Sequence, residues 1–228
     1  MIADISPVTQ DYLKVIWNAR EWSDAAVTSK MLAERMDVSA STVSETVRRL
    51  TEQGLVQHAP YAAIDLTETG RTLALAVVRR HRLLETYLLQ ELDYTWDEVH
   101  AEAEVLEHAV SDTLIERMAA KLGHPLRDPH GDPIPTADGH IRVPDAVLLD
   151  ELESGGRGTV ARISDDDPDT LRHFTSTGIV LDAPIRVDRR AEAVDTLVLH
   201  VGDSADEVTL GRRAARTVWV STVPGAVG

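Results

Sequence analysis

The pattern over residues 9–66 constrains the fold of this chain more than any other feature. Residues 9–22 carry apolar side chains at helical spacing and predict an amphipathic helix. A second helix is predicted just after Thr28, and a third, ASTVSETVRRLTEQ, ends at Gly54. Two short strand-like segments follow, joined by a turn near Pro60–Tyr61. Helix, turn, helix and hairpin in this order are typical of a winged helix-turn-helix.

The remainder of the chain first continues as helix and then changes to strands. Residues 68–92 and 96–121 each predict one long helix, with apolar stripes that could pack together and against a second copy. Residues 125–139 are rich in Pro, Gly and Asp and predict an irregular connection. After about residue 150, short alternating segments predict a small β-barrel of about five strands. The expected fold class is mainly α with small β.

Composition narrows the classes of function. The chain has no cysteine, which excludes disulfides, Cys-zinc sites and thiol catalysis and suits a reducing cytoplasm. The N-terminus does not predict a signal peptide, and no segment predicts a membrane span, so we expect no membrane partner. The net charge of −15 argues against a nonspecific nucleic-acid coat but leaves room for a local DNA-reading face.

The segment HAEAEVLEH, residues 100–108, concentrates ionisable side chains. On a continuous helix His100, Glu104, Glu107 and His108 would share one face. Glu104, Glu107 and His108 are spaced i, i+3 and i+4, and so converge on one point. Carboxylates with an imidazole suit Mn²⁺ or Fe²⁺ better than soft ions.

A second group of candidate ligands lies on the preceding helix. His81 and Glu85 are four residues apart and form a two-point clamp. His100 lies one turn before Glu104 and could complete a second site with them. The alternative to both sites is a solvated acidic helix face, with His81 as a surface histidine.

The third predicted helix would read DNA. In a helix-turn-helix the first residues of the second helix reach base edges in the major groove. Small hydroxyl side chains allow a close approach, Glu can accept a hydrogen bond from cytosine, and Arg can bind phosphates. The candidate DNA-binding residues are Ser29, Lys30, Ser39, Ser41, Thr42, Glu45, Arg48 and Arg49. The alternative is a winged helix that contacts protein.

Four long segments carry a resemblance to a known family. They are VSASTVSETVRRLTEQGLV, RRHRLLETYLL, WDEVHAEAEVLEHAVSD and DPHGDPIP. With them the chain resembles the diphtheria-toxin-repressor family of metal-activated repressors over most of its length. The resemblance implies a winged-helix DNA-binding domain (1–73), a helical dimerisation and metal-binding domain (74–142) and an SH3-like β-barrel (150–226).

The resemblance also implies two metal sites. The regulatory site would consist of Asp11, Glu104, Glu107 and His108. The ancillary site would use His81, Glu85 and His100. In family members with the barrel, a Glu and a Gln from that domain complete this site; here the loop RISDDDPD is shorter and has no Gln, so Asp165 or Asp166 would substitute.

Ligand type predicts the metal and hence the function. Iron-sensing members of the family have Met and Cys where this chain has Asp11 and Glu104, and replacing soft sulfur with hard oxygen favours manganese. We therefore expect no catalysis and no small organic substrate, but a manganese-dependent homodimeric repressor that binds a palindromic operator. The resemblance alone implies that the repressed genes are metal-uptake genes. The alternatives are an iron-dependent repressor of the same family and a di-metal carboxylate oxidase. The oxidase is less favoured because this chain has Glu104-x-x-Glu107-His108 in place of Glu-x-x-His and has no Glu-x-x-His on a neighbouring helix.

Overall fold

The computed structural model describes residues 5–59, 63–204 and 206–222. The chain forms two compact units, which are described separately. The first unit contains residues up to His81 together with 107–111 and 134–141. The second contains 82–106, 112–133 and the chain from Arg142 onward.

The first unit contains the predicted winged helix-turn-helix. Its elements are α1 (Pro7–Glu21), α2 (Ser29–Arg35), α3 (Ala40–Glu52) and the antiparallel strands β1 (Val56–Gln57) and β2 (Asp65–Leu66). Thr28 caps α2 by accepting a hydrogen bond from the Met31 amide. Gly54 follows α3 with a φ of 70°, the left-handed geometry that favours glycine after a helix. The predicted turn at Pro60–Tyr61 lies outside the described residues.

One apolar core holds these elements together. Side chains from each of α1, α2, α3, β1 and the segment before β2 are almost fully buried in it: Leu13, Ile16, Leu32, Val43, Val47, Leu50, Val56 and Ile64. Burying large aliphatic side chains contributes about 1.5–3 kcal/mol each, so this core orients α3 relative to α1.

Helix α4 (Glu68–Leu92) has the predicted bounds. Of its predicted stripe, Val77, Leu84 and Leu88 are buried, and Leu73 is partly buried.

The prediction of one helix over 96–121 is wrong. The structure has α5 (Val99–Leu106) and α6 (Asp112–Lys121), separated by five residues. At the break, the Arg80 guanidinium donates to the main-chain carbonyl of Glu107 at 3.1 Å. In a continuous helix that carbonyl would accept from the amide four residues later.

The break has two consequences for the sequence prediction. Glu107 and His108 follow the last residue of α5, so the four ionisable residues do not share one helix face. The apolar stripe also restarts in α6, where Ile115 is buried and Leu114 is 41% exposed. The Glu98 carboxylate accepts hydrogen bonds from the amide and the hydroxyl of Thr95. These bonds close a turn, and α5 begins after it.

The C-terminal part of the second unit is a six-stranded antiparallel sheet of order β3-β8-β4-β5-β6-β7. Its strands are β3 (Val147–Leu148), β4 (Arg157–Ile163), β5 (Pro184–Ala191), β6 (Thr196–Val201), β7 (Val208–Gly211) and β8 (Val218–Ser221). Two helices accompany the sheet, α7 (Pro168–Thr177) and the short α8 (Arg212–Ala215).

The sequence prediction named about five strands and omitted α7 and β3. Helix α7 has Asp167 as its N-cap, Pro168 at its first turn and Gly178 in left-handed geometry after its end. It buries Leu171 and Phe174 in the core of the sheet. Residues 125–139 are irregular, as predicted, apart from one isolated bridge. No described helix combines the length and apolar character that a bilayer crossing needs.

Candidate metal centres and DNA-reading helix

The first candidate centre lies in the first unit, where α1 presents Asp11. Ser6 caps α1 by accepting from the Thr9 amide, and Pro7 occupies its first turn. Asp11 follows one turn later. Its Oδ1 lies 2.9 Å from Nε2 of His108, in the break between α5 and α6. Asp11, Glu107 and His108 offer ligand atoms that lie within 4.8 Å of one another, although Asp11 is about a hundred residues from the other two in the chain.

A hydrogen bond with Gln10 sets the tautomer of His108. The Gln10 side-chain nitrogen donates to the Ile5 carbonyl at 3.1 Å, so its oxygen faces His108 Nδ1, also at 3.1 Å. That oxygen can only accept, and Nδ1 must therefore carry the proton. In the neutral ring, Nε2 on the Asp11 side then carries the lone pair. Metal-binding histidines are usually oriented in this way by a second partner. Gln10 was not among the residues predicted from the sequence.

Glu107 is the most buried member of this centre. Its side chain is fully buried, with Oε1 2.6 Å from Nζ of Lys14 and Oε2 2.6 Å from Nδ1 of His81. Burial opposes the charged carboxylate, but His81 and Lys14 outweigh burial and hold the pKa of Glu107 below its ordinary value. The carboxylate is therefore ionised at neutral pH, as a metal ligand must be. His81, which the resemblance assigned to the ancillary site, contacts Glu107 through Nδ1.

The donor set of this centre fits a hard divalent ion. It consists of two carboxylates and one imidazole with a lone pair, and it contains no sulfur. Oxygen ligands with one imidazole suit Mn²⁺ and Fe²⁺. Glu104, the fourth predicted ligand, lies on α5 in the second unit, with Oε1 3.6 Å from Nε2 of His100.

The second candidate centre lies in the second unit around His100. Nδ1 of His100 is 2.8 Å from Oδ2 of Asp165, just after β4, and 3.2 Å from Oε1 of Glu85, on α4. Burial opposes the charged ring, but the hydrogen bonds to Asp165 and Glu85 raise the pKa of His100 to about 11. Of the two predicted aspartates, Asp165 reaches this cluster, whereas Asp166 accepts from the Ser164 hydroxyl.

Two residues that the sequence analysis did not select also belong to this region. Glu85, Asp128 and His130 are all buried and offer ligand atoms within 4.8 Å of one another. Nε2 of His130 donates to the Trp96 carbonyl at 2.7 Å. Nδ1 of His130 is buried and has no hydrogen-bond partner among the described residues. A metal-binding imidazole is usually held by a hydrogen bond at one nitrogen while the other nitrogen remains available to the ion.

Gly131 lets the loop that carries these residues lie against β4. Its φ is 94°, and a Cβ atom here would lie 2.2 Å from the Ala161 carbonyl oxygen. The adjacent His130 carbonyl accepts from the Ile163 amide at 2.9 Å. One oxygen of Asp128 accepts from the amides of His130 and Asp132 and closes the turn. The signal in the sequence was the run DPHGD, which lies in the predicted irregular connection and in one of the segments that carry the resemblance, but from which no candidate ligand was selected.

The third site is the exposed start of α3. Ser39 caps the helix by accepting from the Thr42 amide, and its hydroxyl also forms hydrogen bonds with the hydroxyls of Ser41 and Thr42. Glu45 and Arg49 are exposed further along the helix.

The other predicted DNA contacts are placed as follows. Arg48 is exposed and forms an ion pair with Glu52 at 2.6 Å. Ser29 begins α2, and the exposed Lys30 lies 3.8 Å from Glu34. These exposed side chains are available to phosphates because surface ion pairs are weak.

Comparison with protein families matches three segments of the chain. Residues 4–64 match the N-terminal DNA-binding domain of the iron-dependent repressors. Residues 67–136 match their metal-binding and dimerisation domain, and residues 147–222 match the FeoA domain, which is SH3-like.

Whole-chain relatives agree with these matches. The iron-dependent repressor IdeR of Mycobacterium leprae is 33% identical over 232 residues, which cover 96% of this chain and 99% of IdeR. The diphtheria toxin repressor of Corynebacterium diphtheriae is 35% identical over 199 residues, 84% of this chain and 86% of that protein.

Solved structures include a manganese-dependent transcriptional repressor in complex with manganese. It is 58% identical with a TM-score of 0.90, covering 94% of this chain and all of that one. The manganese regulator SloR is 31% identical with a TM-score of 0.80, covering 96% of this chain and all of SloR. The chain therefore belongs to the diphtheria-toxin-repressor family, whose members are metal-dependent transcriptional repressors and not enzymes.

Proposed function

We propose that this protein is a manganese-dependent repressor whose regulatory centre contains Asp11, Glu107 and His108. The observation that carries the proposal is that Gln10 holds Nδ1 of His108, so that Nε2 faces Asp11 at 2.9 Å. Glu104 is retained as the fourth ligand on the sequence resemblance.

The choice of manganese over iron rests on ligand chemistry. Asp11 and Glu104 stand where iron-sensing relatives have sulfur ligands, and hard oxygen donors favour manganese. The similar repressor solved with manganese supports the same choice. Because iron-dependent repressors are also among the relatives, activation by Fe²⁺ is the second candidate.

The placement of Asp11 explains how this centre would control DNA binding. Asp11 lies on α1, and Leu13 and Ile16 of α1 share a core with Val43 and Val47 of α3. A bound divalent ion supplies the positive charge that joins Asp11 to Glu107 and His108. Tethered in this way, α1 limits the movement of α3. A coupling of about 1–3 kcal/mol would change operator affinity roughly five- to 150-fold.

Repression would require a homodimer on double-stranded operator DNA. A two-fold dimer reads a palindrome when its two recognition helices are about one DNA turn apart. Val105, Leu114 and Leu126, in the family's metal-binding and dimerisation region, are 71%, 41% and 82% exposed, and a second copy would bury such apolar surface. The proposed targets are metal-uptake genes, and the proposed location is the cytoplasm. We expect no membrane partner and no small organic substrate.

The ancillary centre would contain Glu85, His100 and Asp165, together with Asp128 and His130. His81 remains a proposed ligand because of the resemblance. Of the two aspartates, Asp166 is the weaker candidate ligand because its carboxylate accepts a hydrogen bond from the Ser164 hydroxyl. We also keep the three domain ranges, 1–73, 74–142 and 150–226, as proposals.

The test combines diffraction with DNA binding. Anomalous diffraction at the manganese edge, on crystals grown with Mn²⁺, should place an ion within bonding distance of Asp11 and His108. Gel shifts should show operator binding that needs Mn²⁺ in the wild type and is lost in Glu104→Ala, which should remain a folded dimer. An ion far from Asp11, or manganese-dependent shifts in the variant, would contradict the ligand assignment.

A further inference from the structure

Lys14 is a buried cation inside the proposed regulatory centre. Its side chain is 5% exposed, and its Nζ lies 2.6 Å from Oε1 of Glu107, whose side chain is fully buried. A lysine is rarely buried to this extent unless it is paired. Lys14 lies on α1, three residues after Asp11, so one helix brings both an acidic ligand and a competing positive charge to Glu107.

The contacted oxygen lies on the His108 side of the Glu107 carboxylate. Oε1 of Glu107 is also the carboxylate oxygen that lies 3.6 Å from Nε2 of His108, on the side of the proposed centre. The other oxygen, Oε2, contacts His81. An ion bound by Asp11, Glu107 and His108 would therefore approach the position that the Lys14 ammonium contacts.

We propose that Lys14 acts as an internal competing cation that sets the manganese concentration at which the regulatory centre fills. This inference rests on the function proposed above. With no divalent ion bound, the ammonium satisfies the buried charge of Glu107. Filling the centre then requires the ammonium to move or to tolerate a nearby like charge, and both weaken metal binding. Lys14 thus shifts the response to a higher metal concentration.

A purely structural role makes the opposite prediction. If Lys14 only held Glu107 in place for the metal, removing the ammonium would loosen a ligand and weaken binding. The two roles therefore differ in the sign of the change in metal affinity.

The experiment is calorimetric titration of Mn²⁺ into the full-length wild type and three variants: Lys14→Gln, Lys14→Met and Lys14→Arg. The binding equivalent that disappears in Asp11→Asn identifies the regulatory centre. Lys14→Gln, which can still donate to Glu107, and Lys14→Met should both bind manganese at least about tenfold more tightly. Lys14→Arg keeps the charge and should stay within about threefold of the wild type.

Thermal unfolding supplies a second readout. Metal-free Lys14→Met should melt at a lower temperature than the wild type, because Glu107 loses a partner, and saturating Mn²⁺ should raise its melting temperature by more than it raises that of the wild type. If Lys14→Met does not fold, the Lys14→Gln titration decides.

The outcomes separate this inference from the proposed function. Unchanged or weaker manganese binding in Lys14→Gln, with normal binding in the wild type, would overturn the competing-cation role alone. A wild type that binds no manganese at Asp11 would overturn both the proposed function and this inference.

Discussion

Gln10 and His108 form a hydrogen bond that decides which ring nitrogen of the histidine faces Asp11. The distance from Nδ1 of His108 to the Gln10 side-chain oxygen is 3.1 Å, and the opposite nitrogen lies 2.9 Å from Asp11. A glutamine outside the proposed ligand set thereby prepares a lone pair for a metal ion. The relationship joins the first helix of the DNA-binding domain to a residue of the dimerisation region.

Replacing Gln10 should therefore weaken metal binding without unfolding the protein. In Gln10→Leu the ring of His108 loses its orienting partner, and manganese affinity should fall roughly 10- to 100-fold. Calorimetric titration measures the change, with Gln90→Leu at an exposed position of α4 as the control. Equal affinities for Gln10→Leu and the control would mean that the hydrogen bond has no part in metal binding.

Replacing oxygen ligands of the regulatory centre with sulfur should change its metal preference. The double variant Asp11→Met, Glu104→Cys replaces two hard oxygen donors with sulfur and should shift activation from Mn²⁺ toward Fe²⁺. Anaerobic gel shifts across both metals measure the preference. Glu153→Cys, an exposed position, controls for the presence of a thiol. Identical activation profiles for wild type and double variant would refute the argument.

Two adjacent aspartates provide a matched test of the ancillary centre. Asp165 lies 2.8 Å from His100, whereas its neighbour Asp166 accepts from Ser164. Asp165→Asn should lower metal affinity at this centre by at least about tenfold, and Asp166→Asn should leave it close to the wild type. Titration in an Asp11→Asn background isolates the ancillary equivalent. Similar losses in both variants would show that proximity to His100 does not identify the ligand.

The FeoA domain should lose stability in acid through Asp150. Hydrogen bonds from Arg212 and then Arg216 hold the pKa of Asp150 below the ordinary value of an aspartate. Because the pKa of Asp150 is lower in the folded state than in the unfolded state, its carboxylate stabilises the fold at pH values above the unfolded-state pKa. This stabilisation is lost as the pH falls through the folded-state pKa. Asp150→Asn should thus cost about 1–3 kcal/mol at pH 7 and flatten the stability profile below about pH 4.

Urea unfolding from pH 2 to 7 measures this profile. Glu153→Gln, at an exposed position nearby, should follow the wild-type curve. An Asp150→Asn profile as steep as that of the wild type would assign the acid sensitivity to other carboxylates.

Arg49 should contribute affinity for DNA without sequence preference. It is exposed on α3, about two turns beyond the hydroxyl residues that begin the helix. Arg49→Ala should weaken binding similarly for all sequences and reduce the slope of log affinity against log salt by about 1. Fluorescence anisotropy at several salt concentrations provides the slope, and Arg157→Ala, exposed in the FeoA domain, is the control. An unchanged slope would place Arg49 away from phosphates.

Local patterns were sufficient for the elements whose side chains meet neighbours in the sequence. The bounds of α4 and the cap of α2 follow from helical spacing and from Thr28, and the structure agrees with both. The break after α5 could not be predicted in this way. It coincides with a hydrogen bond from Arg80 to the Glu107 carbonyl, which connects residues 27 positions apart.

In the candidate sites, too, local spacing identified some residues, whereas contacts between distant parts of the chain were not predicted. Glu107 and His108 were selected from their spacing, and the distant Asp11 was selected only from the family resemblance. Other long-range partners of this cluster were not selected. Lys14 lies 93 positions from Glu107, and Gln10 lies 98 positions from His108. Asp128 and His130 stand in an irregular loop, where no periodicity indicates which side chains point inward. Only the folded loop, closed by Gly131 against β4, brings them to Glu85.

The interruption between α5 and α6 also affects how this family can vary in length. Inserting one residue into an unbroken helix turns every later side chain by about 100° and exchanges buried for exposed positions. Residues 107–111 are not helical, so the orientation of side chains in α6 is determined from its own start at Asp112 and not by the helical turn of α5. Insertions or deletions at 109–111 are therefore compatible with burial of Ile115 and Ala119, whereas the same change inside α4 would displace its whole apolar stripe.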